Sequence, residues 1–310
     1  MKTALGIFEM HRRWLTCALL IGTPFLLLTT LGAVLFLGLG SGHREIPRTT
    51  EKEVDVNLQA AFGNVYVSRG DSKKICSVDI KDTDSDKPRG TINYKISAGV
   101  GKLDIDLSKF GESGFGTEEK HHLDLGDLES GKWYVRLTDQ IPISFNVELG
   151  VGKGDFDCSG LLIKNFVLSA GASSVNLRFP QPNKVQIDNM KIETGVSKFV
   201  GEGLGNANFR NFQFSGGVGS YTLDFSGKLN REVDVKVEVG LGSVTIVVPR
   251  DVGARVLYQK SWVSKIDLDR DFEEKREGQY FSDNYSTASG RMNISVESGF
   301  GHVKIRRVSP

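Results

Sequence analysis

The sequence predicts an all-β chain: a parallel β-solenoid preceded by one N-terminal transmembrane helix. Three observations carry this. A long uncharged apolar run lies near the start of the chain. A small–apolar–small phrase recurs eight times. Alternating apolar residues flank each copy of that phrase.

The first element is the apolar run. No charged residue occurs from Trp14 to Gly42. The stretch Leu15 to Leu39 meets the length of about 20 apolar residues that a bilayer span needs. A cleaved signal peptide would carry a shorter apolar region, roughly 7–15 residues. Lys2, Arg12 and Arg13 precede the run, with Glu9 the one acid there, which orients the N-terminus inside and the large domain outside. The expected organisation is a cytoplasmic segment over 1–13, a membrane helix over 14–40, a linker over 41–50 and an extracytoplasmic β domain over 51–310. The most regular repeats fall in 144–256.

The repeat phrase centres on Ala61-Phe62-Gly63, Gly99-Val100-Gly101, Gly150-Val151-Gly152, Gly171-Ala172-Ser173, Gly195-Val196-Ser197, Gly217-Val218-Gly219, Gly240-Leu241-Gly242 and Gly299-Phe300-Gly301. In the seventh copy Val233, Val235, Val237, Val239 and Leu241 share one parity, and Val244, Ile246 and Val248 share the other. Period-two alternation means strands with one buried face. A parity switch at one fixed place means a bulge or tight corner. Glycine suits such a corner, which assigns that role to Gly217 and Gly240. From the third copy to the seventh the central residues step by about 21 to 24 positions, one rung of a solenoid. Stacking should then align Val151, Ala172, Val196, Val218 and Leu241 in a core column. A second column holds Phe156, Leu177, Tyr221 or Leu223, and Ile246. Asp157, Arg178, Glu202 and Asp224 fall at one rung position and read as an exposed charge ladder. Insertions at Ser108–Gln140 and Tyr258–Arg291 read as loops or an extra hairpin.

Composition excludes some classes. With 39 basic and 38 acidic residues the net charge is +1, which argues against a nucleic-acid binder. The 36 glycines follow the repeat and belong to the scaffold. Cys76 and Cys158 share parity with core residues. They read as buried small hydrophobes, although an external location also permits a disulfide.

Candidate chemistry is thin. His121-His122 sits among Glu118, Glu119, Asp124, Asp127 and Glu129, without the spaced His or Cys partner that a metal site uses. Gly201-Glu202-Gly203-Leu204-Gly205 lacks the helix that must follow a phosphate loop. Asp155, Asp157 and Asp224 lack the close pairing of hydrolytic carboxylates. His302 has no triad motif around it. No catalytic set, metal site or cofactor is expected. Loop 258–285 mixes aromatics with arginines, as contact surfaces do. Its candidate partner-contact residues are Trp262, Arg270, Phe272, Tyr280 and Phe281. The competing role for this loop is to cap an open end of the solenoid.

One resemblance adds to this. The runs Trp133-Tyr-Val-Arg-Leu-Thr-Asp-Gln-Ile-Pro142, Phe145-Asn-Val-Glu-Leu-Gly-Val-Gly152 and Gly240-Leu-Gly-Ser-Val-Thr-Ile-Val-Val-Pro-Arg-Asp-Val-Gly253 resemble the bacterial toast-rack proteins. Among these are the C-terminal domain of LiaF-type cell-wall-active-antibiotics-response proteins and adhesin-like relatives. The resemblance implies a parallel β-solenoid outside the membrane, with no known chemistry. LiaF-type members restrain an envelope-stress sensor kinase and carry several membrane helices, whereas one is expected here.

The expected function is that of a non-enzymatic, single-pass membrane protein of the cell envelope. Its partners would be the bilayer, through the N-terminal helix, and a membrane sensor protein. A surface adhesin or glycan-binding module is the alternative.

Overall fold

The computed structural model describes residues 35–38, 42–81, 90–107, 131–259 and 264–309. All of them belong to the unit Gly32–Pro310. Among the described residues, seventeen strands form one sheet system. In order they are β1 (Leu35–Gly38), β2 (His43–Pro47), β3 (Glu53–Arg69), β4 (Lys74–Lys81), β5 (Thr91–Ser97) and β6 (Val100–Asp106). Next come β7 (Lys132–Leu137), β8 (Ile143–Asp157), β9 (Ile163–Arg178), β10 (Ile187–Glu202), β11 (Phe209–Asp224) and β12 (Glu232–Pro249). The last are β13 (Val252–Gln259), β14 (Ser264–Leu268), β15 (Phe272–Arg276), β16 (Gln279–Ser282) and β17 (Gly290–Val308).

Seven of these strands are long and stack in parallel, in the order β3, β8, β9, β10, β11, β12, β17. Each must bend in the middle. Residues 158–162 carry the chain from the end of β8 to the start of β9, and so few residues span at most about 22 Å. A straight strand of the 15 residues in β8 would be roughly 46 Å long. In-register parallel stacking is therefore possible only if each strand doubles back as two limbs around a corner.

The burial pattern locates that corner. In β12, Val233, Val235, Val237 and Val239 point inward, Gly240 and Leu241 both point outward, and Val244, Ile246 and Val248 point inward again. Two consecutive outward residues flip the parity. The repeat and its switch are as expected, but the central residues do not stack in the core. Val151, Ala172, Val196, Val218 and Leu241 are exposed. The left-handed backbone also lies elsewhere than expected. It falls on the residue after the central one, at Gly63, Gly152, Gly242 and Gly301, and not at Gly217 or Gly240. At Gly217 and Gly240 the constraint is space: a Cβ would stand 2.7 and 2.8 Å from the carbonyl oxygen of the glycine one rung below.

The second copy of the phrase is a different object. Ala98 and Gly99 both have positive φ, at 52° and 80°, and link β5 to β6 as an antiparallel two-residue hairpin.

Inside the two limbs lies an aromatic core. Phe145 meets Phe166 edge-on at 5.8 Å, Phe199 meets Phe214 at 5.3 Å, and Phe212 meets Phe225 at 5.3 Å. The second expected column is buried as Phe156, Leu177, Leu223 and Ile246. In β10 its place falls to Gly201, over which Leu204 packs.

The returns from β9 to β10 and from β10 to β11 are pinned by asparagine. Asn183, 6% exposed, accepts from the Ile163 amide and donates to the carbonyls of Ile163 and Ala207. Asn206 donates to Phe179 O, and Asn208 donates to the carbonyls of Asn183 and Val185. Cys76 and Cys158 are buried free thiols. Burial pushes the Cys76 thiol up to about 12 and that of Cys158 higher still.

Both ends of the stack are closed by split rungs. β6 and β7 pair with the two limbs of β3, with β5 and β1 beyond β6, and β4 and β2 beyond β7. At the other end β13 and β14 pair with the limbs of β17, and the hairpin β15–β16 pairs with β13. Two of the outermost strands carry charge or proline, His-Arg-Glu-Ile-Pro in β2 and Phe-Glu-Glu-Lys-Arg in β15, which discourage sheet-to-sheet aggregation.

The remaining N-terminal expectations need correction or lie outside these residues. The expected membrane helix falls mostly outside the described residues. Residues 35–38 of it form strand β1, and no described helix is long and apolar enough to cross a membrane. The expected linker 41–50 contains β2.

Candidate interaction surface

The corner residues form the most distinctive surface of the fold. Strand register carries Phe62 to Val151, then to Ala172, Val196, Val218, Leu241 and Phe300, one per rung. At six steps of about 4.8 Å, this apolar ridge is roughly 29 Å long. Exposure runs from 36% at Phe62 to 64% at Val196. An apolar side chain gains nothing from water, so a continuous row of them is a binding surface or a liability.

The ridge is flanked asymmetrically. On its first-limb side runs a shelf of glycines, Gly150, Gly171, Gly195 and Gly217, which floors a groove backed by Leu149 and Ala170. Beyond the groove an acidic row holds Glu148, Glu193, Glu238 and Glu297, interleaved with Gln59, Ser169 and Ser215. Lys191 and Lys236 lie next to Glu193 and Glu238, at 2.8 and 2.7 Å. Lys236 holds the Glu238 carboxyl below the usual range. On the second-limb side, two positions past the ridge, Lys153 and Lys198 are exposed and His302 half-buried, with serines between. Beneath the corner, Thr194, Ser197 and the Tyr221 phenol gather, and burial raises the phenol's pKa. The alternation that marks the ridge also hid it, because a valine or leucine two residues after a core position reads as core.

The other sequence candidates resolve differently. Phe272 and Tyr280 pack partly against the core at the C-terminal end, and Phe281 meets Tyr285 edge-on at 5.1 Å. Arg270 is exposed, and Trp262 lies outside the described residues. Phe272, Tyr280 and Phe281 lie at the C-terminal end of the stack, where the anchor is a residue that the sequence reading missed. Arg307, 6% exposed, donates to Asp271 Oδ2 at 2.9 Å and to Val252 O at 2.9 Å. It also reaches Arg250 O and Asn284 Oδ1, and lies 5.6 Å from the Phe272 ring centroid. Arg307 shares the inward parity of Val303 and Ile305, but its charge reads as exposed when its partners are distant in sequence.

The aspartates examined for hydrolysis have structural partners. Arg178 clamps Asp155 with two bonds of 2.6 and 3.2 Å. Asp157 and Asp224 each accept from the amide two residues on, Ser159 and Ser226, and so close the turns that leave the second limb. The expected ladder keeps its register, with Asp157 beside Arg178 and Arg178 beside Glu202, while the ion pair of Arg178 is made with Asp155, outside the ladder. His302 lies beside the ridge, and His121-His122 fall outside the described residues. No metal-binding group occurs among the described residues.

The stack of bent parallel rungs agrees with a family comparison. A profile described as the N-terminal domain of toast_rack, DUF2154, matches residues 40–202 and 182–247. The chain belongs to this family. Among curated proteins, none is similar in sequence. Among solved structures, this toast-rack chain is similar to a Clostridium sporogenes ATCC 15579 protein named for cell adhesion. The identity is 17% and the TM-score 0.44, covering 89% of this chain and 100% of that one. Two proteins named as adhesins also align. One is from Parabacteroides distasonis ATCC 8503, with 10% identity, TM-score 0.29, and 89% and 98% coverage. The other is from Parabacteroides merdae ATCC 43184, with 9% identity, TM-score 0.27, and 86% and 95% coverage. Values this low bear on neither activity nor partner.

Proposed function

We propose that this toast-rack protein is a non-enzymatic binding scaffold of the cell envelope. The apolar run ahead of β1, residues 14–34, anchors it, and the corner ridge is its contact surface. The observation that carries this is the unbroken, exposed apolar column from Phe62 to Phe300. The visible side chains amount to roughly 500 Å², within the size of patches that often prove functional on monomers. In the narrower form, the scaffold tunes an envelope-stress sensor held in the same membrane.

Photo-crosslinking in cells tests this, with a photoreactive residue at Val196, at Leu241 or at Phe281 of the full chain. Protein adducts at the two ridge positions are expected. Adducts from Phe281 alone would move the contact surface to the cap and overturn the ridge assignment.

A surface adhesin or glycan-binding module is the second reading. Its support is the half-buried pair Tyr66–Tyr134, stacked at 4.9 Å with Lys81 over the Tyr134 ring. Glycan binding that is lost in Tyr66→Ala and kept in Val196→Asp would favour it.

A further inference from the structure

The flanking charges suggest what occupies the ridge. We infer that it is a second copy of this chain, related by a two-fold axis parallel to the rung stack. This rests on reading the ridge as a contact surface.

The argument is one of symmetry and charge. Two ridges can face each other about a two-fold axis in two ways. If the axis crosses the stack, first limb meets first limb, and the acidic row lies against its own copy. If the axis runs along the stack, first limb meets second limb at the same rung. Glu148 then faces the partner copy's Lys153, Glu193 faces its Lys198, and Glu297 faces its His302. Each pair occurs twice, because the contact is isologous. The residues of each pair lie on one rung by strand order: Glu148 and Lys153 on β8, Glu193 and Lys198 on β10, Glu297 and His302 on β17. Lys191 and Lys236 already approach the acidic row from its far side. As exposed pairs they are weakly held and share their carboxylates readily.

Shape agrees. The groove lies on the acidic side of the ridge and has a glycine floor, so it can receive side chains of the size that the ridge presents. With the axis along the stack, each ridge seats in the other copy's groove at matching rungs. Ridge and groove together offer roughly 500–600 Å² per copy, near the 1,000–1,200 Å² total at which specific interfaces begin. The expected association is weak and salt-sensitive.

The test is cysteine crosslinking of the full chain in cells, with Cys17→Ser as background. Cys76 and Cys158 are buried and stay silent. Val151→Cys, Val196→Cys and Leu241→Cys should each give a disulfide-linked homodimer. Mixing Val151→Cys with Leu241→Cys chains should give at least tenfold less 151–241 product than like-rung product, because those rungs lie roughly 19 Å apart along the stack. Lys153→Glu with Lys198→Glu should reduce the Val196→Cys dimer at least tenfold, and adding Glu148→Lys with Glu193→Lys should restore it. A dominant 151–241 product would overturn the parallel axis. Absence of every homodimer, with the ridge cysteines protected from maleimide, would overturn the second copy and leave the contact surface standing. Free labelling without homodimer would overturn both.

Discussion

The outer corner and the return side of each rung solve one problem in opposite ways. Both must turn the chain and bring neighbouring rungs within hydrogen-bonding distance. The corner does it by removing side chains: glycines let the backbone of one rung approach the carbonyls of the next. The return side does it by adding them: Asn183, Asn206 and Asn208 supply the bonds that a third sheet would have made. The corner thus leaves its central residue without a folding role, and the return side leaves none spare. A surface free to evolve a partner lies at the corner for that reason.

The largest expected effect breaks the corner. Gly242 has φ 140°, and a Cβ there would overlap the Gly219 carbonyl oxygen. Gly242→Val should cost roughly 3–5 kcal/mol from strain and overlap together. Gly240→Val, without the left-handed backbone, should cost clearly less. Urea unfolding of the two variants measures the gap, and equal losses would mean that crowding alone shapes the corner.

Next comes a matched pair of leucines on neighbouring rungs. Leu223 is fully buried, and Leu241 is 49% exposed. Leu223→Ala should lose about 2–5 kcal/mol, whereas Leu241→Ala should stay within about 0.5 kcal/mol. A large loss at Leu241 would show that the ridge belongs to the folding core after all.

A third test addresses the return side. Asn183→Leu keeps the volume and strands the Ile163 amide with two carbonyls. A loss of about 2 kcal/mol is expected, with faster amide exchange confined to the returns at 163 and 207. Unchanged exchange there would mean that the returns hold without their asparagines.

The smallest effect concerns the edge strand β2. His43 bonds to Glu45 and Asp79, and these carboxylates raise its pKa above the ordinary 6.5. The stabilisation is fully present below 6.5 and fades as pH rises through the raised value. An NMR titration should find His43 above 6.5, with the β2–β4 pairing loosening on the alkaline side. A value at or below 6.5 would remove this tie.

Much of the fold was legible from the repeat. The period, the parity switch and the buried cysteines follow from residue order alone. The ridge was misread for a definite reason. Val239 and Leu241 continue one alternation, and only the bend between them puts Leu241 outside. The hairpin at Ala98-Gly99 shares the phrase but folds its two arms back on each other as an antiparallel pair, which local sequence does not report. The buried Arg307 and the zipping Asn183 were invisible because their partners come from up to 57 residues away.

Rung stacking has a consequence for reach. Every additional rung of 21 to 24 residues lengthens the apolar edge by one strand spacing, about 4.8 Å, and leaves the existing rungs unchanged. The edge is therefore a ruler with fixed graduations. Duplicating or deleting a single unit would reset the span of whatever it measures, without any redesign of the core.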